Sequence, residues 1–220
     1  MDTSHTEIKL NFSHIPTKTK QAFDLLSKQA WLKDDKWYLA GGTALTLQCD
    51  LRESYDLDFF TPQKNIELNH IERALHPNWV TTNRKEDTLY GELNDIKVSF
   101  ISYPFFTPVE QFIEYGFVKV VNARDIAVMK IIAISQRGRK RDFFDLYWYI
   151  LNREPLLDVF KRVDIQYPNL KHNYHHIIKS LTFFEDAEED PDPQIFFDAT
   201  WEQVKKYFLA IIPSLADNFL

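Results

Sequence analysis

Asp56-Leu57-Asp58-Phe59-Phe60 sets two carboxylates two residues apart in an otherwise apolar run. Side chains alternate across a strand, so Asp56 and Asp58 share one face while Leu57 points to the other, and Phe59 and Phe60 anchor the strand. Like charges about 7 Å apart along a strand repel unless something positive lies between them. A divalent cation would serve, and hard oxygen ligands suit Mg²⁺, which takes one or two carboxylates plus substrate phosphates. The plain alternative is a surface pair on an amphipathic strand, which an isolated Asp-x-Asp does not exclude. Gly41-Gly42-Thr43 stands 13 to 15 residues before the acids. Gly-Gly often marks only a turn from strand to helix. The same turn can also hold a phosphate on backbone N–H groups at the helix start, with the Thr43 hydroxyl beside it.

Periodicity arranges the rest. Residues 17–32 carry apolar side chains at helical spacing, and Trp37–Ala40 reads as a strand entering the glycine turn. Thr43–Cys49 reads as a helix, Asp56–Phe60 as a strand, and Ile66–Leu75 as a helix with Asn65 as its N-cap. Strand-like runs follow at Trp79–Thr82, Thr88–Leu93, Ile96–Tyr103 and Phe117–Val121, with Leu93-Asn94-Asp95 able to close a hairpin. Residues 123–151, 155–163, 173–182 and 199–210 all read as helical. The division is therefore residues 1–122, mixed α/β, and residues 123–220, helical, with no linker-like composition between them.

Composition excludes several classes. Hydrophobic residues make up 45% of the chain, which rules out wholesale disorder. The longest stretch without a charge, Trp37–Cys49, is 13 residues, short of the ~20 a membrane helix needs. Met1–Lys9 is polar, which predicts no secretion signal, and the single cysteine, Cys49, fits a reducing cytoplasm. The expectation is a cytoplasmic protein with no membrane partner. The net charge of −6 equals the six acids Glu185, Asp186, Glu188, Glu189, Asp190 and Asp192, read as a solvated loop. A globally basic nucleic-acid binder is not supported, but the cluster Arg137-Gly138-Arg139-Lys140-Arg141 survives this accounting.

The glycine turn followed by an Asp-x-Asp strand resembles the nucleotidyltransferases of the DNA polymerase β superfamily. Leu39-Ala40-Gly41-Gly42-Thr43-Ala44-Leu45, then Arg52, Ser54 and Asp56–Phe60, resemble the first motif of the AbiEii/AbiGii toxin family of nucleotidyltransferases. Ile96–Pro104 is similar to its second motif, Asp125–Lys130 to its third and Arg137–Tyr147 to its fourth, so the likeness spans roughly residues 35–151. It implies an α+β fold: a nucleotidyltransferase-like mixed β-sheet flanked by helices, followed by a helical C-terminal part that completes the cleft. It also implies metal-dependent transfer of an NMP from an NTP to an RNA (tRNA), protein or small-molecule acceptor, with a bacterial toxin-like role and a DNA-binding antitoxin partner. Asp56 and Asp58 would hold Mg²⁺ or Mn²⁺. Gly41, Gly42 and Thr43 would cradle phosphates, with Arg52, Ser54, Lys130, Arg137 and Arg141 as further substrate-binding residues, and Asp142 and Asp145 would join Asp56 and Asp58 as catalytic residues.

Lys130 is the single base in an apolar helix, which fits snorkelling to solvent as well as a charge on a triphosphate. Arg137–Arg141 precede a helix that begins near Asp142, where positive charge opposes the macrodipole. Polyphosphate, RNA backbone, or the nearby Asp142 and Asp145 could offset it, and Arg141–Asp145 has i,i+4 spacing. Asp125 fits an N-cap. Polymerase β-type sites place a third carboxylate on a neighbouring strand, where it can take a proton. Ser99 stands there and cannot do so at neutral pH. The function then falls to Asp142 or Asp145, or the site holds one metal, or the domain is an inactive binding module. His172, His175 and His176 have helical zinc spacing but polar surroundings and no cysteine, which favours an exposed histidine face.

Overall fold

The computed structural model describes residues 9–220; nearly all of the segment read above for a secretion signal lies in residues 1–8, outside them. Within the described residues α1 (Thr17–Leu26), α2 (Trp31–Asp34) and β1 (Tyr38–Ala40) lead directly into α3 (Gly41–Cys49). Then come β2 (Leu57–Thr61), α4 (Leu68–Leu75), β3 (Trp79–Lys85), β4 (Thr88–Leu93), β5 (Ile96–Ser102), β6 (Ile113–Tyr115) and β7 (Val118–Val120). The chain continues as α5 (Ala123–Arg137), α6 (Lys140–Asn152), α7 (Leu156–Lys161), α8 (Val163–Gln166), α9 (Tyr174–Ser180), α10 (Glu185–Glu188) and α11 (Trp201–Phe219). The strands form one mixed sheet in the order β3-β4-β5-β2-β1-β7-β6. β2 is parallel to β5 and antiparallel to β1, which is parallel to β7. This is the helix-flanked α+β sheet expected from the sequence.

The alternation of β2 sorts its side chains as the pleat requires. Leu57 and Phe59 are fully buried, while Asp58 and Phe60 are half-buried on the other face. The buried face holds an aromatic centre. Phe100 is 0% exposed, with ring centroids 5.2 Å from Trp37, 5.4 Å from Phe59, 5.7 Å from Trp31 and 5.9 Å from Trp79. The opposite face carries one row across four strands: Ala40 beside Asp58, Asp58 beside Ser99, and Ser99 beside Tyr90. β4 and β5 join through Asn94-Asp95, both at positive φ, as a two-residue hairpin demands. Among the described residues no helix is long and apolar enough to cross a membrane.

Several boundaries differ from the sequence reading for identifiable reasons. The helix expected over 17–32 stops at Leu26, because the Ser27 carbonyl accepts the Phe117 N–H at 2.7 Å from the β6–β7 turn. Asn65 is not an N-cap: it takes positive φ, donates its backbone N–H to Asp87, and α4 begins at Leu68. Residues 123–151 divide at Gly138, which ends α5 in the left-handed conformation. Asn122, not Asp125, caps α5; the Asp125 carboxylate instead accepts the backbone N–H groups of Val109 and Glu110. α11 runs on to Phe219 through Pro213. The acidic run is no free loop: Asp190 pairs with Arg139 at 2.7 Å, Asp192 with Lys140 at 3.0 Å and Glu188 with Lys205 at 2.8 Å. It therefore offsets much of the basic cluster that the sequence left without a partner.

Phe100→Ala should lower stability by about 3–5 kcal/mol, as expected for truncating a fully buried aromatic. Urea denaturation measures it, and an unchanged midpoint would contradict the packing described.

Candidate active site

The strand-to-helix turn and the Asp-x-Asp strand meet because β1 lies against β2. Gly41 adopts φ +73°, and a Cβ there would stand 3.2 Å from Asp58 Oδ2, so glycine permits both the turn and the close approach. A Cβ on Gly42 would fall 2.1 Å from Arg52 Nη2. No side chain caps α3, and its first residues line a cleft of about 250 Å³, leaving N–H groups available to an anion. Thr43 does not present a free hydroxyl: it is buried, 2.8 Å from Ser54 Oγ, and donates to the Asp56 carbonyl. Thr43 and Ser54 thus pin the turn to the carboxylate strand.

The same cleft brings together Gly41, Gly42, Thr43, Arg52, Ser54, Asp56 and Asp58 from the sheet half with Lys130, Arg137, Arg141 and Asp142 from α5 and α6. Asp145 lies beneath it, fully buried. Asp56 and Asp58 face the opening. Burial and the Asp58 charge push the Asp56 carboxyl above its usual range, while Arg141, Lys97 and Arg52 act the other way. The nearest cation is Arg141, 3.8 Å from Asp56. Ser99 donates to Asp58 Oδ1 at 2.6 Å.

Asp142 and Asp145 have different surroundings. Lys130, only 4% exposed, places Nζ 2.6 Å from both Asp142 Oδ1 and Asp145 Oδ2. Arg52 grips Asp145 through Nε at 2.6 Å and Nη2 at 3.0 Å, and Arg137 reaches Asp142 at 3.2 Å. Burial alone would raise the Asp142 pKa, but Lys130, Arg137 and Arg141 hold it down at about 2. Asp145 is lowered as well, by Arg52 and Lys130 against its own burial. Both carboxylates are thus engaged by cations, and the expected Arg141–Asp145 pair does not form. Lys130 is neither snorkelling nor free.

The far wall of the cleft is aromatic and apolar: Phe60, Tyr103, Met129 and Tyr167. Tyr103 was legible in principle, since it shares parity with Ser99 and Ile101 on one strand. Tyr167, beyond α8, carries no local signal. The histidines have separate partners: His172 Nε2 lies 3.1 Å from the Tyr167 carbonyl and His176 Nε2 lies 3.0 Å from that of Ser135. Among the described residues no group of three or more His, Cys, Asp or Glu is placed to hold a metal.

A glycine turn, a paired-carboxylate strand and a cationic wall on a mixed sheet define a nucleotidyltransferase. The chain belongs to the AbiEii family of nucleotidyltransferase toxins of type IV toxin–antitoxin systems, whose profile matches residues 24–89 and 90–218. It is 36% identical over 191 residues to an uncharacterized protein of Aquifex aeolicus (strain VF5), covering 83% of this chain and 89% of that one. Among solved structures it is similar to MenT4, a nucleotidyltransferase toxin of Mycobacterium tuberculosis H37Rv, at 15% identity and a TM-score of 0.54, covering 91% of this chain and 86% of that one. The JHP933 structure of Helicobacter pylori aligns at 17% identity and a TM-score of 0.49, over 93% of this chain and 96% of that one.

Asp145→Ala leaves Arg52 and Lys130 sharing a buried site with one carboxylate fewer, and should cost about 3–5 kcal/mol. Thermal unfolding checks it; a loss below about 1 kcal/mol would show the network to be unimportant for folding. Because the folded Asp142 pKa lies below its ordinary 3.8, its contribution is complete above that value and is lost as pH falls towards about 2. Melting temperatures of wild type and Asp142→Asn should therefore converge across this acid window.

Proposed function

We propose that the protein transfers an NMP from an NTP to a hydroxyl-bearing acceptor with the help of Mg²⁺ or Mn²⁺ held by Asp56 and Asp58. The observation that carries this is the charge balance of the cleft. Arg52, Lys130, Arg137 and Arg141 are matched one for one by Asp56, Asp58, Asp142 and Asp145, so a triphosphate would enter a site with no net positive charge. The donor set fits a divalent cation: two carboxylates, Asp58 on β2 and Asp56 at its entry, line the same cleft, as magnesium uses when phosphates complete its shell. When bound, the ion offsets charge developing on the phosphate oxygens during displacement.

The chain's own residues do the rest. The α3 N-terminus at Gly41 and Gly42 binds phosphate oxygens through backbone N–H groups. Arg137 and Arg141, about half exposed, move onto the phosphates, and Lys130 adds its charge from below. Asp142 and Asp145 act as positioning residues that hold Lys130 and Arg52 in place, while Thr43 and Ser54 brace the turn. The aromatic wall receives the base. Residues 1–122 supply the turn and the carboxylates, and residues 123–220 supply the cationic side of the cleft. The acceptor is an RNA such as tRNA, a protein or a small molecule. The biological setting is cytoplasmic, with a DNA-binding antitoxin as partner.

Incubation with each α-labelled NTP, Mg²⁺ and total RNA or total cell protein tests this. Asp58→Asn should reduce labelling at least about 100-fold, the scale of losing a few kcal/mol of charge stabilisation. Binding of NTP by the wild type without transfer to any acceptor would instead favour a nucleotide-binding module, a reading that Ser99 in place of a third carboxylate motivates.

A further inference from the structure

Asp56 and Asp58 line two clefts, not one. Opposite the cationic wall they also border a second cleft of about 360 Å³, completed by Tyr90, Glu92, Lys97 and Ser99 on β4 and β5. The register explains why these side chains share a face. Asp58 lies beside Ser99, Ser99 beside Tyr90, and Glu92 directly opposite Lys97. The pleat repeats every two residues, so Asp58, Ser99, Tyr90, Lys97 and Glu92 all project from one side of the sheet. The pairing of β3 with β4 shifts register between Thr81 and Asn83, and Thr82 lines this cleft.

Two features mark the second cleft as more than a surface hollow. Glu92 and Lys97 are opposite charges facing each other across neighbouring strands, yet neither has a hydrogen-bond or ion-pair partner among the described residues. Every cation proposed above for the phosphates lines the first cleft, and none of them lines this one. In-line displacement at phosphorus brings the nucleophile in opposite the leaving group, and a triphosphate held by the cations of the first cleft would leave the second cleft open to an acceptor.

We propose that the acceptor hydroxyl enters through this cleft and that Glu92 is the catalytic residue that takes its proton, in place of the carboxylate absent at Ser99. The proposal rests on the nucleotidyl-transfer reading above. Ser99 is committed to Asp58, and Asp142 and Asp145 are neutralised by Lys130, Arg52 and Arg137, so none of the three is free to act as base. Glu92 stands opposite Lys97 and diagonal to Ser99, two strand spacings or roughly 10 Å from the strand of Asp58, a gap that the acceptor hydroxyl and one intervening water would fill. In the step, the acceptor O–H gives its proton to the Glu92 carboxylate and its oxygen bonds to the α-phosphorus. The bond from that phosphorus to the oxygen bridging to the β-phosphate breaks, and pyrophosphate leaves with the electron pair.

The test compares wild type, Glu92→Ala, Glu92→Asp and Asp58→Asn, using α-labelled NTP with total RNA and, in parallel, total cell protein as acceptor. Glu92→Ala should lower kcat on the order of 10²–10⁴-fold, leave NTP affinity by calorimetry unchanged, and regain part of its rate on addition of formate. Glu92→Asp, which keeps the carboxylate but shortens its reach, should fall between the two. Wild-type turnover by Glu92→Ala, or a loss that formate does not restore, overturns the assignment while leaving the transfer reading intact. A wild type that transfers to neither acceptor, nor to the small molecules of a cell extract, sinks both, whereas transfer abolished by Asp58→Asn but not by Glu92→Ala sinks Glu92 alone.

Discussion

The cleft depends on one buried arrangement of charge. Arg52, near the start of the carboxylate strand, and Lys130, on α5, share Asp145 on α6, and Lys130 also takes Asp142. Each member would be costly to bury alone, so the four are stable only together. This mutual requirement ties the sheet half of the chain to its helical half and orders the cationic wall that faces Asp56 and Asp58. It is an interaction of register as much as of stability: a shift of α5 or α6 by one residue would turn Lys130, Asp142 or Asp145 away from its partners.

The glycine turn meets the same network from the other side. Gly42 leaves the space that Arg52 Nη2 occupies, and Gly41 leaves the space beside Asp58. The absence of two side chains therefore serves the geometry of two others, and the glycine turn, the Asp58 carboxylate and the buried arginine are parts of one packing solution. Outside it, the acidic run neutralises Arg139 and Lys140, so that Arg137 and Arg141 are the members of the basic cluster left facing the cleft.

The legibility of this chain follows the range of each interaction. That Asp56 and Asp58 line the same cleft follows from the two-residue period, although β2 itself begins only at Leu57, and the order of strands then helices follows from hydrophobic spacing. Both are local, and both were readable. Helix ends were read less well wherever a distant backbone group intervened, as the Phe117 N–H does at Ser27. The role of Lys130 was undecidable from its neighbours, because its partners lie on another helix. Asp142 and Asp145 looked like candidates for a missing base for the same reason: nothing near them in the chain shows that Lys130, Arg52 and Arg137 claim their charge.

What the amino-acid order determined unaided was the set of chemical groups and their family: a glycine turn, a carboxylate pair, four ordered motifs and a mixed sheet to carry them. Tertiary structure alone decided which carboxylates stay available and which are sequestered, since that depends on distances between residues up to 93 positions apart, as between Arg52 and Asp145. It also decided that Asp56 and Asp58 separate two clefts. That arrangement arises from the pairing of β2, β5 and β4, and the pairing of strands is set by the packing of the whole sheet, which no single segment contains.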